Sequence, residues 1–182
     1  MGIYVNDLRE LIVRPALEQL NEWSQSAEDL LLGTAAQESK LGFRMRSGHD
    51  NGQGLYNISA RAHLKIWDEY LVKDPELASR LRGLASQHQF LKSPHTELIY
   101  NLSYASGVAW MIYKRCHLKL PDKASVHELA NFWLNYYRAK DGTNGVDQNI
   151  NHEIIGNPEC TIDTFVRNYR SLVLCENKNL AA

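Results

Sequence analysis

The sequence is poor in cysteine, and its three cysteines form no recognisable motif. Cys116, Cys160 and Cys175 are an odd number, and no two of them have the CxxC spacing. Small extracellular folds that depend on disulfides carry an even and denser set of cysteines. We therefore expect free thiols in a reducing compartment, and a Cys160–Cys175 pair is the alternative.

An excess of charge and a long apolar run are also missing. The 182 residues include 20 Lys and Arg and 21 Asp and Glu, which gives a formal net charge of −1. This balance does not favour nucleic acid or an anionic membrane as a partner. No segment approaches the roughly 18 apolar residues of a membrane span. The first residues lack the basic region and apolar run of a secretory signal.

Histidine occurs seven times, but these positions are scattered along the chain. Metal sites built from His and Cys show characteristic close spacings, which are absent here. We therefore expect neither a metal nor an organic cofactor.

What the sequence does have is helical periodicity over most of its length. Apolar side chains recur every three or four residues, which favours amphipathic helices. Capping and first-turn residues predict helix starts at Ser26, Ser59, Asp74–Pro75, Ser93–Pro94, Ser125 and Thr161. The glycine-rich segment before residue 58 predicts a loop or hairpin. We expect one mostly α-helical domain over residues 1–182, with a small β-hairpin or loop near residues 50–58.

Glu38 raises the functional question. Helical spacing places it on the same inward-facing stripe as Leu30 and Thr34, in the last turn of a helix. The helix dipole and partial burial both disfavour a charged carboxyl there. We therefore expect a raised pKa for Glu38, which suits a general acid that must hold its proton near neutral pH. The structural alternative is a solvated glutamate paired with Lys40 or Arg44.

The residues after Glu38 extend this observation. Glu38-Ser39 is followed by a variable loop, by "GLYNI" from Gly54 to Ile58, and by a helix that Ser59 caps. This order resembles the superfamily of soluble lytic transglycosylases and goose-type lysozymes, in which Gly-Leu-Met-Gln follows a helix that ends in Glu-Ser. With "LLLGTAAQES", "YKR" before "LP", and "FWLNYY", most of the chain is similar to phage and prophage proteins with this core. The resemblance implies a lysozyme-like helical domain.

The resemblance also implies a reaction. It is cleavage of the β-1,4 bond between N-acetylmuramic acid and N-acetylglucosamine in peptidoglycan, with Glu38 as the catalytic acid. In the transglycosylase branch, Glu38 then acts as base while the 6-hydroxyl of muramic acid attacks. In the lysozyme branch, water attacks with the help of a second carboxylate. Asp50 is the candidate for that carboxylate, and its alternative role is that of a turn residue. Goose-type enzymes carry a further Asp where this chain has Ser59.

A further set of residues is implied in substrate binding. These candidates are Ser39, Gly54, Leu55, Tyr56, Asn57, His63, Asn101 and Tyr137. Tyr56 replaces the usual Met or Phe of the family, and Asn57 replaces the usual Gln. Tyr137 occupies the place of an aromatic that faces the catalytic acid, and Asn101 is a candidate to orient Glu38. A core position is the alternative for His63 and Tyr137.

Two other functions stay open. The changes at Tyr56, Asn57 and Ser59 are compatible with a catalytically inactive phage structural or glycan-binding module of the same fold. A Glu38 carboxyl that is sealed from any groove or salt-bridged to an arginine would make activity implausible, whereas an open groove with Glu38 at its floor and Tyr137 opposite would favour the enzyme. A helical interaction protein with neither role is the third hypothesis.

The expected partners and localisation follow from the resemblance. The partners are a peptidoglycan glycan strand and other virion proteins, without nucleic acid or membrane insertion. We expect synthesis in the cytoplasm without a signal peptide. An active enzyme would then reach the cell wall within the virion or by holin-type release.

Overall fold

The computed structural model of the protein describes residues 2–45, 52–138 and 161–175. Helices make up most of these residues, with one small antiparallel pair of strands. The prediction of a mostly α-helical fold with a small hairpin is thereby confirmed. Asp50, Cys160 and the polar segment 141–159 lie outside the described residues.

The helices follow one another closely along the chain. In order they are α1 (residues 5–19), α2 (Gln25–Ser39), α3 (residues 60–73), α4 (Pro75–Leu84), α5 (Gln87–Lys92), α6 (residues 94–100), α7 (Leu102–Lys114), α8 (residues 126–137) and α9 (residues 162–174). Several contain a wide π-type turn, and these turns are Leu8–Val13, Ile66–Tyr70, Trp133–Tyr137 and Tyr169–Leu174. The helix α1 continues through Pro15 after such a turn.

Most of the predicted helix starts are confirmed. The Oγ atom of Ser59 accepts from the Ala62 amide at 3.1 Å, and the Oδ1 atom of Asp74 accepts from the Leu77 amide at 3.0 Å. Ser125 and Thr161 each form a capping box. These short-range hydrogen bonds satisfy amide groups that have no partner within the helix.

Two predicted boundaries were wrong. Ser24, not Ser26, caps α2, because Ser24 has the extended backbone of a cap and accepts from the Ala27 amide. Ser26 is buried and accepts from the Ala124 amide at 2.9 Å. The long helix predicted from Ser93–Pro94 is interrupted at Asn101, whose side chain caps α7.

The core is centred on α2 and α7. Both helices are buried along most of their length, and α2 also contacts α1, α8 and α9. Gly33 allows the close approach of α9, since a Cβ atom at this position would lie 2.4 Å from Cζ of Phe165. The middle of α2 is therefore packed closely against α9. No helix among the described residues has the length and apolar character that crossing a membrane requires.

The hairpin lies between α2 and α3. Strand β1 (Gly52–Gln53) pairs antiparallel with β2 (Ile58–Ser59). Gly54 begins the connecting turn with φ +73°, and a Cβ atom there would lie 1.7 Å from the carbonyl oxygen of Leu98. Glycine is required at this position both for the positive φ and for the contact with α6.

Replacing Gly54 tests this contact. We expect Gly54→Ala to lower the free energy of unfolding by about 3 kcal/mol, because the left-handed backbone and the clash with Leu98 both cost energy. Urea unfolding followed by tryptophan fluorescence measures the change. Gly83→Ala is the control, since a Cβ atom at this exposed position meets only the end of the Gln19 side chain. That variant should be neutral or more stable by up to about 1 kcal/mol, and equal stability of the two variants would contradict the close approach.

Candidate active site

The site is built around the last turn of α2. Glu38 is the penultimate residue of this helix, and Ser39 is the last. Lys40 follows with φ +54° and takes the left-handed cap position of the helix. The Leu41 amide then donates to the carbonyl oxygen of Ala35 at 3.0 Å, which closes the end of the helix.

Three residues distant in sequence contact the Glu38 carboxyl group, whose side chain is only 5% exposed. The indole Nε1 of Trp133 donates to Oε1 at 2.8 Å. The amide Nδ2 of Asn57 donates to Oε2 at 3.3 Å. The guanidinium Nη1 of Arg138 lies 3.5 Å from Oε2. The hairpin and the end of α8 therefore meet at this carboxyl group.

These contacts act against the predicted rise in the Glu38 pKa. Burial and the helix C-terminus disfavour the charged form, whereas the two N–H donors and the cation of Arg138 favour it. The raised pKa of Glu38 stays a prediction. Lys40, one of the alternative partners, donates to Oδ1 of Asn168 at 2.9 Å.

Two tyrosines respond to the charge on Glu38. Burial, with a further contribution from this charge, raises the pKa of Tyr113 and of Tyr137 well above the usual value. Their ring centroids are 5.2 Å apart. The Tyr137 hydroxyl donates to the carbonyl oxygen of Tyr56 at 2.7 Å. Tyr137 thus lies close enough to Glu38 to sense its charge, and its hydroxyl connects α8 to the hairpin.

Ser39 connects the end of α2 to the same hairpin. Its hydroxyl donates to the Leu55 carbonyl oxygen at 2.6 Å and accepts from the Gly42 amide at 2.8 Å. The side chains of Leu55 and Tyr56 are fully buried, and the Tyr56 hydroxyl pairs with Oγ of Ser106 at 2.9 Å. The two halves of the sequence resemblance therefore meet, but Leu55 and Tyr56 contribute to the core beneath the hairpin.

Asn57 differs from these buried neighbours. It has φ +53° and is partly exposed. Its amide nitrogen contacts Glu38, whereas its Oδ1 atom is buried without a hydrogen-bond partner among the described residues. A buried acceptor without a partner is costly. The surrounding structure therefore holds Asn57 beside Glu38 despite the free-energy cost of this buried oxygen.

The side chain of Asn101 forms hydrogen bonds with residues other than Glu38. Its Nδ2 atom donates to the carbonyl oxygen of Leu84 at 2.9 Å and to Oε2 of Glu97 at 2.8 Å, and its Oδ1 atom accepts from the Tyr104 amide. Glu97 is fully buried. These contacts give Asn101 a structural role at the start of α7, and none of them is with Glu38.

His63 also has a structural environment, since it is 1% exposed. Its Nε2 atom lies 2.6 Å from the Tyr104 hydroxyl, and its Nδ1 atom lies 2.9 Å from Nδ1 of His95. Burial, and after it the neighbouring His95, lowers the pKa of His63 to about 4. This environment agrees with the core alternative for His63.

A second carboxylate on α2 provides a comparison for Glu38. Glu28, in the first turn, is fully buried and accepts hydrogen bonds from Arg9, Arg14 and Trp23. Burial is the largest effect and raises its pKa, but the donors together lower the pKa of Glu28 below its usual value. The Arg14 contact is 2.8 Å, against 3.5 Å for Arg138 and Glu38. Glu28 therefore forms a structural ion pair with arginines at the opposite end of the helix from Glu38.

Sequence reasoning missed Trp133 and Arg138. Trp133 lies one helical turn before Tyr137, so the same spacing that singled out the tyrosine could have included the indole. Arg138 directly follows Tyr137, but nothing local shows that it reaches Glu38. Among the described residues, no group of three or more His, Cys, Asp or Glu side chains is arranged to hold a metal ion.

The low pKa of His63 predicts acid sensitivity. The pKa of His63 is 6.5, the ordinary value, in the unfolded chain and about 4 in the folded chain. Between these two pH values, the unfolded chain binds a proton at His63 that the folded chain does not. The free energy of unfolding should therefore fall as the pH falls through this window, by on the order of 3 kcal/mol. Thermal unfolding of the protein and of His63→Gln at several pH values measures this effect. The variant should show a shallower dependence on pH, and parallel curves would contradict the assignment.

Comparison with known proteins adds no relative to this site. No family model matches the chain, and neither the curated proteins nor the solved structures include a match. The resemblance to transglycosylases and goose-type lysozymes therefore stays a prediction, and a function must be argued from the residues around Glu38.

Proposed function

We propose that this protein is a peptidoglycan-cleaving glycosidase of lysozyme-like type with Glu38 as its general acid. The proposal is supported by one observation above all. The end of α2 that carries Glu38 and Ser39 is hydrogen-bonded to Leu55 and Asn57 in the turn of the hairpin. These are the two sequence segments on which the resemblance rests, and they meet around a largely buried carboxyl group.

The proposed substrate is the β-1,4 bond between N-acetylmuramic acid and N-acetylglucosamine. Glu38 transfers its proton to the glycosidic oxygen while positive charge develops on the muramic acid ring. The resulting carboxylate then accepts a proton from the attacking group. This group is the 6-hydroxyl of muramic acid in a transglycosylase, which gives an anhydro sugar, or water in a lysozyme.

The transglycosylase branch requires fewer groups from the protein, because it needs no second carboxylate. Ser59 stands where goose-type enzymes carry an Asp, and its hydroxyl accepts from the Ala62 amide as the cap of α3. Asp50, the other candidate for this carboxylate, lies outside the described residues. Hydrolysis would therefore depend on Asp50, whereas formation of an anhydro product would not.

The second candidate function is a catalytically inactive glycan-binding or virion module. It is favoured by the 5% exposure of the Glu38 side chain and by the nearby Arg138 guanidinium. Two details weaken this alternative. The Arg138–Glu38 contact of 3.5 Å is longer than the 2.8 Å ion pair between Arg14 and Glu28, and the Arg138 side chain is 24% exposed.

The role of Glu38 is tested by Glu38→Gln. We expect wild-type protein to clear a suspension of purified cell walls and the variant to be at least about 100-fold slower, because the amide cannot donate the catalytic proton. Glu18→Gln, at an exposed position on α1, is the matched control and should clear as the wild type does. Equal clearing by wild type and Glu38→Gln would exclude Glu38 as the acid.

Two further measurements separate the candidate functions. Mass spectrometry of the released muropeptides distinguishes anhydro from hydrated ends, and hence transglycosylase from lysozyme. If the folded wild-type protein releases no muropeptide but sediments with the cell walls, the glycosidase is rejected in favour of the binding module.

A further inference from the structure

The two oxygens of the Glu38 carboxyl group have different partners. Oε1 accepts a hydrogen bond of 2.8 Å from the indole of Trp133, a fully buried residue. Oε2 accepts the longer bond from Asn57 and lies beside the guanidinium of Arg138. The carboxyl group is therefore held in one orientation, and its two oxygens have different surroundings.

The indole of Trp133 favours one of the two oxygens of Glu38 as the site of a proton. An indole N–H group only donates, so Oε1 must offer it a lone pair. A protonated carboxyl group accepts most strongly at its carbonyl oxygen, and the indole bond to Oε1 is shorter than the amide bond to Oε2, at 2.8 Å against 3.3 Å. This difference favours Oε1 as the carbonyl oxygen and Oε2 as the oxygen that carries the acidic hydrogen. The positive charge of Arg138 lies next to Oε2 and opposes protonation there.

We propose that Trp133 and Arg138 are positioning residues that assign different roles to the two Glu38 oxygens. Trp133 reserves Oε1 as an acceptor, so that Oε2 carries the transferable proton, and Arg138 suppresses this proton while it lies beside Oε2. This inference rests on the proposed glycosidase function. It makes the Arg138 contact an inhibitory feature of the resting site rather than a sign of lost activity.

The residues packed around Trp133 hold its indole ring in place. Its ring lies against Phe165 of α9 with the ring centroids 5.5 Å apart. Phe165 in turn contacts Gly33 of α2, the helix that carries Glu38. The indole is thus fixed to the same helix whose carboxyl group it contacts, which keeps the hydrogen bond aligned.

The polar and charged groups around Glu38 come from several elements. Tyr113 on α7 and Tyr137 on α8 are electrically neutral, because their pKa values lie well above the usual one. The hairpin contributes the neutral amide of Asn57, and the nearby Lys40 donates to Asn168 of α9. Arg138 is the cation of the described ion pair with Glu38. Its removal should therefore change the protonation of Glu38.

The experiment is a carboxyl ¹³C NMR titration of Glu38 in the wild type, Arg138→Gln and Arg138→Lys. Loss of the cation should raise the pKa of Glu38 by about one unit, which makes the protonated acid about tenfold more abundant at neutral pH. Arg138→Lys keeps the charge and should titrate close to the wild type. Arg14→Gln, which removes a cation from Glu28 at the other end of α2, is the control and should leave Glu38 unchanged.

Trp133→Phe tests the other oxygen, since it removes the N–H donor and keeps a buried aromatic ring. The pKa of Glu38 should rise here as well, but cell-wall cleavage should slow about tenfold because the carboxyl group loses its orientation. Trp23→Phe, which removes the corresponding donor to Glu28, should alter neither property. Arg138→Gln should instead cleave several-fold faster than the wild type at neutral pH.

The outcomes separate the inference from the function. An unchanged Glu38 titration in Arg138→Gln overturns the inference, even if the wild type cleaves cell walls. Equal shifts in Arg138→Gln and Arg14→Gln overturn it too, because the effect would then be a general one of charge. Shifts in the Glu38 titration that are confined to Arg138→Gln and Trp133→Phe support the division of the two oxygens. If the wild type is nevertheless inactive on cell walls, the glycosidase function is rejected and the inference about the two oxygens stands.

Discussion

The hydrogen bonds between the end of α2 and the hairpin are the constraint on which the site depends. The Ser39 hydroxyl contacts the backbone at Leu55 and Gly42, and the Tyr137 hydroxyl contacts the backbone at Tyr56. Each of these donors or acceptors is buried or partly buried, where an unmade hydrogen bond is expensive. The hairpin is therefore attached to both α2 and α8, and the position of Asn57 beside Glu38 follows from this attachment.

The helix α2 shows how environment separates two residues of the same type. Glu28 lies at the N-terminal end, where the helix dipole favours an anion, and two arginines bind it. Glu38 lies at the C-terminal end, where the dipole disfavours an anion, and the nearby arginine is 3.5 Å away. The first arrangement suits a permanent ion pair. The second combines a helix end that disfavours the anion with an arginine that favours it.

Much of the fold was predictable because helix capping and periodicity are local. Ser59 and Asp74 bind amides three residues further on, so their roles can be read from the sequence. Ser24 and Ser26 show the limit of such reasoning, because both residue types suit a cap and the Ser26 hydroxyl instead binds the distant Ala124 amide. Glu38 itself was predictable from its stripe and its helix end. Its partners were not, because Trp133 lies 95 positions further along the chain.

The contact between Gly33 and Phe165 has a consequence for the order of assembly. Phe165 belongs to α9, the last helix described, yet it lies between α2 and the Trp133 ring that contacts Glu38. During synthesis, the ribosome releases Glu38, the hairpin and Trp133 well before α9. Until α9 emerges, the indole lacks the aromatic surface that supports it. The environment of Glu38 is therefore completed only after α9 has been synthesised, later than the helices that carry Glu38 and Trp133.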